Sequence, residues 1–98
     1  MGLENVELAM GFEDEFGIAV PDEILQRMVT VGDFYDAVLQ LVRENGRAEL
    51  RSRDDLDEYL WLRVKALAAE QTRTFEAQHV RPEQITRATR FVEDLGYG

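Results

Sequence analysis

Few side chains in this sequence are suited to catalysis. The chain has no cysteine, one histidine, His79, and one serine, Ser52. A nucleophilic triad needs a serine or cysteine together with a histidine and an acid, and a zinc site needs several histidine, cysteine or acidic ligands. His79 stands in "EAQHVRP" and Ser52 in "LRSRDD", and neither stretch has a catalytic motif. We therefore expect neither an enzyme nor a metal site, and we interpret both residues as surface loop residues.

Acidic residues, which could bind basic partners, are concentrated near the N-terminus. Residues 1–26 contain seven of the 20 acidic residues and none of the 11 lysines and arginines. A concentrated acidic surface repels nucleic acid and attracts basic proteins, so we do not expect nucleic-acid binding. Two interpretations remain open: a docking surface for a basic partner, or a solvated helix face whose acids favour the helix dipole.

Length and composition indicate one small domain, residues 1–98. Hydrophobic residues make up 45 % of the chain and charged residues 32 %, which is typical of a globular helical protein. No apolar run approaches the roughly 18 residues needed to cross a bilayer, so we expect no membrane insertion. The absence of cysteine favours a cytoplasmic location.

The acidic N-terminal segment has the periodicity of an amphipathic helix. Leu8, Phe12 and Phe16 recur at four-residue spacing and predict an apolar stripe. Gly17 is a typical C-terminal stop signal. We expect the stripe to be widened by Val6, Ala9 and Met10, and the opposite face to carry Glu4, Glu7, Asp14 and Glu15.

Three further helices are predicted. Pro21 leads into a short helix at about 22–28, and "TVGD" at 30–33 has the pattern of a capping box that starts a helix ending at "ENG". A polar connection at 46–54 precedes a long helix from about 54 to 77 and a loop containing Pro82. The predicted fold is all-α, a four-helix bundle with one short helix. Its core candidates are Met10, Phe12, Phe16 and Phe34, and Tyr59 and Trp61 are expected to cap the bundle.

Residues 1–45 resemble acyl carrier proteins. "VELAMGFEDEFGIAVPDE" (6–23) is similar to that family's second helix and following loop, whose usual pattern is close to VELVMALEEEFGIEIPDE, and "TVGDFYDAVLQLV" (30–42) to its last helix. The resemblance implies a role related to carrying acyl groups in fatty-acid or polyketide-type synthesis. It also implies that basic surfaces of partner enzymes bind the second helix, here through Glu4, Glu7, Glu13, Asp14 and Glu15.

Residues 55–98 resemble a part of the same family that should come earlier. "RVKALAAEQ" (63–71) is similar to the family's first helix, and "RPEQITRATRFVEDLG" (81–96) to the loop that leads to the carrier serine. The resemblance therefore implies an acyl-carrier-protein-like bundle with the helix order II-III-IV-I. Four accounts fit this order: a natural permutation, a deliberate one, a piece of two tandem carriers, or a homodimer whose chains exchange helices.

The serine of the family pattern is missing. In the family, 4′-phosphopantetheine is attached to a serine at the start of the second helix. Alignment on "VEL" and "FGI" puts Gly2 at that position, and a shorter variant of the pattern puts Asn5 there. Neither residue has a hydroxyl, so we expect no cofactor on the chain as written. The alternative to a relative of the carriers is a non-carrying interaction module that docks basic partners through its acidic N-terminal helix.

Overall fold

A computed structural model describes residues 3–74 and 80–97. These residues form α-helices and a 3₁₀ turn, with no strand among them, so the helical fold class is confirmed. The helices are α1 (Leu3–Phe16), α2 (Asp22–Arg27), α3 (Val31–Asn45), α4 (Ala48–Arg51) and α5 (Leu56–Thr74), and the 3₁₀ turn is Pro82–Gln84.

The connection between α3 and α5 is more regular than predicted. The amides of Leu50 and Arg51 donate to the carbonyl of Arg47 at 3.1 and 3.0 Å, which closes the single turn of α4. The part of the chain that the structure describes thus has one helix more than the four expected. The predicted end of the long helix at 77 lies outside the described residues.

Helices α1 and α5 pack antiparallel. Arg63 Nε and Nη2 donate to the two carboxylate oxygens of Glu15 at 2.6 and 2.7 Å. Gly11 lies four residues before Glu15 on α1, and Leu67 lies four residues after Arg63 on α5. These two residues also face each other, since a Cβ on Gly11 would lie 3.5 Å from Leu67 Cδ2. The start of α1 therefore lies towards the C-terminal end of α5.

Phe34 of α3 lies at the centre of the core. Its ring meets that of Phe12 at 5.9 Å and that of Phe91 at 6.4 Å, both edge to face, a geometry favoured by the ring quadrupoles. Of the four predicted core residues, Phe12, Phe16 and Phe34 are buried, whereas Met10 is exposed. Phe12 belongs to α1, and Phe91 belongs to residues 80–97, which we call the C-terminal segment. One cluster of rings therefore joins both halves of the chain.

The C-terminal segment also pairs with the start of α3. Val31 N donates to Thr89 O at 2.8 Å, and Gly32 N donates to Arg87 O at 3.0 Å. A Cβ at Gly32 would lie only 2.7 Å from Arg87 O, so this close approach of two backbones requires glycine. These bonds hold the segment against α3.

The predicted capping box at the start of α3 is confirmed. Thr30 Oγ1 accepts from Asp33 N at 3.1 Å, and Asp33 Oδ2 accepts from the amides of Thr30 and Val29, each at 3.0 Å. The hydrogen bond from the Thr30 amide, followed by that from Val29, holds the pKa of Asp33 below its ordinary value.

Removal of the Asp33 carboxylate should destabilise the protein in a pH-dependent way. Since folding lowers this pKa, the contribution is present above the ordinary carboxyl range and is lost as the pH falls through the lowered pKa. We expect Asp33→Ala to reduce the free energy of unfolding by about 1 kcal/mol at neutral pH. The difference from the native protein should shrink below about pH 4.

Urea denaturation at neutral pH and at about pH 3 measures this difference. Asp33→Asn is the matched control because it keeps an acceptor oxygen and loses only the charge, so its loss should be smaller. An equal loss for Asp33→Ala at both pH values would contradict the assignment.

Candidate functional site

The outer face of α1 carries exposed apolar side chains. Leu8 and Phe12 are fully buried, whereas Val6 is 40 % and Met10 54 % exposed. The expectation that Val6 and Met10 widen the core stripe is therefore wrong, although Ala9, expected to do the same, is buried. Each residue turns an α-helix by about 100°, so positions two residues from Leu8 lie about 160° away from it and face outward.

Glu15, one of the five acids predicted to bind partners, forms an ion pair within the chain. Its bidentate contact with Arg63 links α1 to α5, and its side chain is 29 % exposed. The hydrogen bond to Glu15 raises the pKa of the Arg63 guanidinium above its ordinary value. The carboxylate of Glu15 is thus engaged in the contact between α1 and α5.

Glu13 stabilises the loop that follows α1. Its Oε2 accepts from Val20 N at 2.7 Å, and its carbonyl accepts from Gly17 N at 2.8 Å. Gly17 has a φ of 67°, the left-handed conformation that favours glycine at the end of a helix. Glu13 is half-buried and lies at the edge of the outer face.

Glu4 is buried, not on the solvent face. It is only 9 % exposed, so its predicted position opposite the apolar stripe is wrong. The reason is again helical geometry, because a residue four positions from Leu8 lies about 40° from it, on the packed side. Its charge acts on Tyr97, whose pKa is raised mainly by burial and additionally by Glu4.

The remaining two acids lie beside the exposed apolar residues. Asp14 is exposed and Glu7 is half-buried. With Val6 and Met10 they cover an arc of about 100° on the outer side of α1. We call these four residues, Val6, Glu7, Met10 and Asp14, the α1 docking face. An apolar centre beside carboxylates suits a partner surface that has apolar side chains surrounded by lysine or arginine.

The two positions aligned with the carrier serine differ in what the structure shows of them. Gly2 lies outside the described residues. Asn5 lies near the start of α1 and is 9 % exposed, and its Oδ1 has no hydrogen-bond partner among residues 3–74 and 80–97. A side chain at position 5 is therefore largely covered.

The last described residue lies near the first helix. Tyr97 is 2 % exposed, its hydroxyl donates to Ala68 O on α5 at 2.7 Å, and its ring packs on Phe91 at 5.1 Å. Because the start of α1 also lies towards the C-terminal end of α5, and the charge of Glu4 acts on Tyr97, both ends of the described chain lie towards this end of the bundle.

Ser52 and His79 add no chemistry to this site. Ser52 is exposed at the end of α4, and its hydroxyl donates to Glu49 O at 3.2 Å, a local turn contact. His79 lies outside the described residues. Among the described residues, no group of three or more histidines and acids is placed to hold a metal ion.

No protein-family model matches the chain, and no solved structure is significantly similar to it. Within the part of the chain that the structure describes, none of the helices combines the length and apolar character needed to cross a membrane.

Proposed function

We propose that the protein is a docking module of the acyl-carrier-protein type, which binds basic surfaces of carrier-dependent enzymes and is not itself loaded. The observation that carries the proposal is the α1 docking face, where Val6 and Met10 are exposed beside Glu7 and Asp14. These residues belong to "VELAMGFEDEFG", the stretch that resembles the partner-binding helix of the carriers. Apolar contact would supply affinity, and the carboxylates would raise the association rate.

The arrangement of the helices supports a permuted carrier order. In this interpretation, α1, α2 and α3 are the second, third and fourth helices of a carrier, and α5 is the first. The loop that should lead from the first helix to the second would then be the C-terminal segment. The burial of Tyr97 against α5, close to Glu4, agrees with that order because it brings the end of this segment to the start of α1.

The chemistry of positions 2 and 5 supports a role without an arm. Attachment of 4′-phosphopantetheine needs a hydroxyl at the start of the second helix, and neither Gly2 nor Asn5 supplies one. Such a module would bind the enzymes that recognise carriers. It would either compete with a loaded carrier for these enzymes or bring them to it. The acyl group would stay on another protein.

Binding to a phosphopantetheinyl transferase tests the proposal, since this enzyme must recognise carriers. We expect the native protein to bind, and we expect Met10→Glu to weaken the affinity at least about tenfold, or 1.4 kcal/mol. The added carboxylate would lie in the apolar centre of the contact, where it would lose hydration.

Leu62→Glu is the matched control because Leu62 is 51 % exposed, close to the 54 % of Met10, but lies on α5. Its affinity for the transferase should equal that of the native protein, as measured by isothermal titration calorimetry. Absence of binding by the native protein, or an equal loss in both variants, would contradict the proposed surface.

A further inference from the structure

A second mixed face lies on α5. Glu58, Trp61, Leu62 and Lys65 follow the spacing i, i+3, i+4, i+7, which places them on one side of a helix. Leu62 is 51 % exposed, Glu58 is exposed, and Trp61 and Lys65 are half-buried. The Lys65 ammonium lies 5.5 Å from the centre of the Trp61 ring. We call these four residues the α5 stripe: two apolar side chains between an acid and a base.

A shallow pocket of about 370 Å³ lies beside the stripe. Its aromatic wall is fixed, because the rings of Tyr35 and Trp61 meet edge to face at 5.2 Å and the Tyr35 hydroxyl donates to Asp57 O at 2.9 Å. On the other side the Arg87 guanidinium lies 5.5 Å from the Tyr35 ring and is paired with Asp36 at 2.7 Å. The pocket is therefore large enough for an apolar side chain of leucine size, and its aromatic wall is held in place.

The charges of the α5 stripe are complementary to those of a second copy of the same stripe. The midpoint between Glu58 and Lys65 along the helix is also the midpoint between Trp61 and Leu62. If a second α5 lies antiparallel across this midpoint, each Glu58 faces the Lys65 of the other copy. Each Leu62 then faces the Trp61 of the other copy. A two-fold interface of this kind uses the same patch on both chains.

We propose that the α5 stripe is a homodimer interface, in which Leu62 of each copy enters the pocket beside Trp61 of the other. Two Glu58–Lys65 pairs would flank this apolar centre and fix the antiparallel orientation. Each chain keeps its own helices, so this dimer differs from one made by helix exchange. It also leaves the α1 docking face open, because α1 packs against the side of α5 that carries Arg63 and Leu67.

The proposed interface involves about two helical turns and one pocket from each chain. Interfaces below about 1,200 Å² are typical of weak, reversible association. We therefore expect a monomer–dimer equilibrium with a dissociation constant in the micromolar range, about 1 to 100 μM. The emission of Trp61, the one tryptophan of the chain, should shift to shorter wavelength as the dimer forms.

Sedimentation equilibrium over a concentration series tests the interface. Glu58→Lys and Lys65→Glu should each weaken dimerisation at least about tenfold, because each puts like charges opposite one another. The double variant Glu58→Lys/Lys65→Glu restores opposite charges and should return the dissociation constant to within about threefold of the native value. Leu62→Glu should abolish the dimer, and Met10→Glu, on the α1 docking face, should leave it unchanged.

Far-UV circular dichroism of each variant controls for folding. The double variant is a second control, because a single variant that failed to fold would not regain dimerisation when the second charge is reversed. A native protein that stays monomeric up to about 1 mM overturns the proposal. A dimer unaffected by Leu62→Glu also overturns it and is the outcome that helix exchange predicts. Single variants that weaken the dimer without recovery in the double variant exclude the antiparallel arrangement.

Discussion

Replacement of Gly2 with serine should convert a chain that accepts no phosphopantetheine into one that accepts a single arm. The native chain has no hydroxyl at either position aligned with the carrier serine. By the resemblance, a serine at position 2 would take the place of the carrier serine at the start of the second helix, where amides and the helix dipole favour a phosphodiester. The measurement is the intact mass after incubation with a phosphopantetheinyl transferase and coenzyme A. The native protein should gain no mass. Gly2→Ser, carried behind a short N-terminal tag, should gain the mass of one arm.

Asn5→Ser is the matched control for this experiment. It introduces the same hydroxyl three residues later, in a side chain that is only 9 % exposed. We therefore expect no modification of Asn5→Ser, which would also decide between the two alignments of the start of α1. Modification of the native protein, or of Asn5→Ser in preference to Gly2→Ser, would contradict the assignment of position 2.

Phe34→Ala should be among the most destabilising single substitutions in this domain. Phe34 is 0 % exposed and its ring packs edge to face on Phe12 and Phe91. Loss of a buried phenylalanine side chain typically costs about 3–5 kcal/mol, through lost transfer free energy and the cavity left behind. Native proteins have only about 5–15 kcal/mol in total, so the variant should lose a large share of its stability.

Denaturation in urea, followed by circular dichroism and by Trp61 fluorescence, measures this effect. Phe34→Leu is the control, since it retains an apolar side chain and should lose clearly less stability. Both probes should report one coincident transition, because Phe34 joins α1 to the C-terminal segment across a single core. Two separate transitions would indicate that the two halves of the chain fold independently and would contradict this role.

The positions of α1, α2 and α3 could be predicted because their signals are local. Thr30 and Asp33 form a capping box within four residues, and Gly17 ends α1 with a positive φ, so neither feature depends on distant parts of the chain. α4 was missed although its residues, AELR, favour a helix. A single turn is too short to show a helical periodicity, and this one is closed by backbone hydrogen bonds to Arg47 within a polar connection. The predicted helix boundaries do not show which face of each helix packs against the core.

The candidate site could be predicted only in part. The sequence identified α1 as the acidic helix, but not which of its acids remain available. The partner of Glu15 is Arg63, 48 residues away, and that pairing follows from the packing of α5. The exposure of Val6 and Met10 could have been found from their two-residue spacing from Leu8, a signal that the apolar composition of the segment obscured. The α5 stripe became visible only once the packed side of that helix was known.

A competition experiment tests the central claim most directly. In one reaction, a phosphopantetheinyl transferase loads a functional acyl carrier protein from coenzyme A, with increasing amounts of the native protein added, and intact masses of both proteins are followed. If the protein is a docking module without an acceptor serine, loading of the carrier should slow while the mass of the native protein stays unchanged. A gain of an arm by the native protein, or a loading rate of the carrier that does not change, would contradict the account.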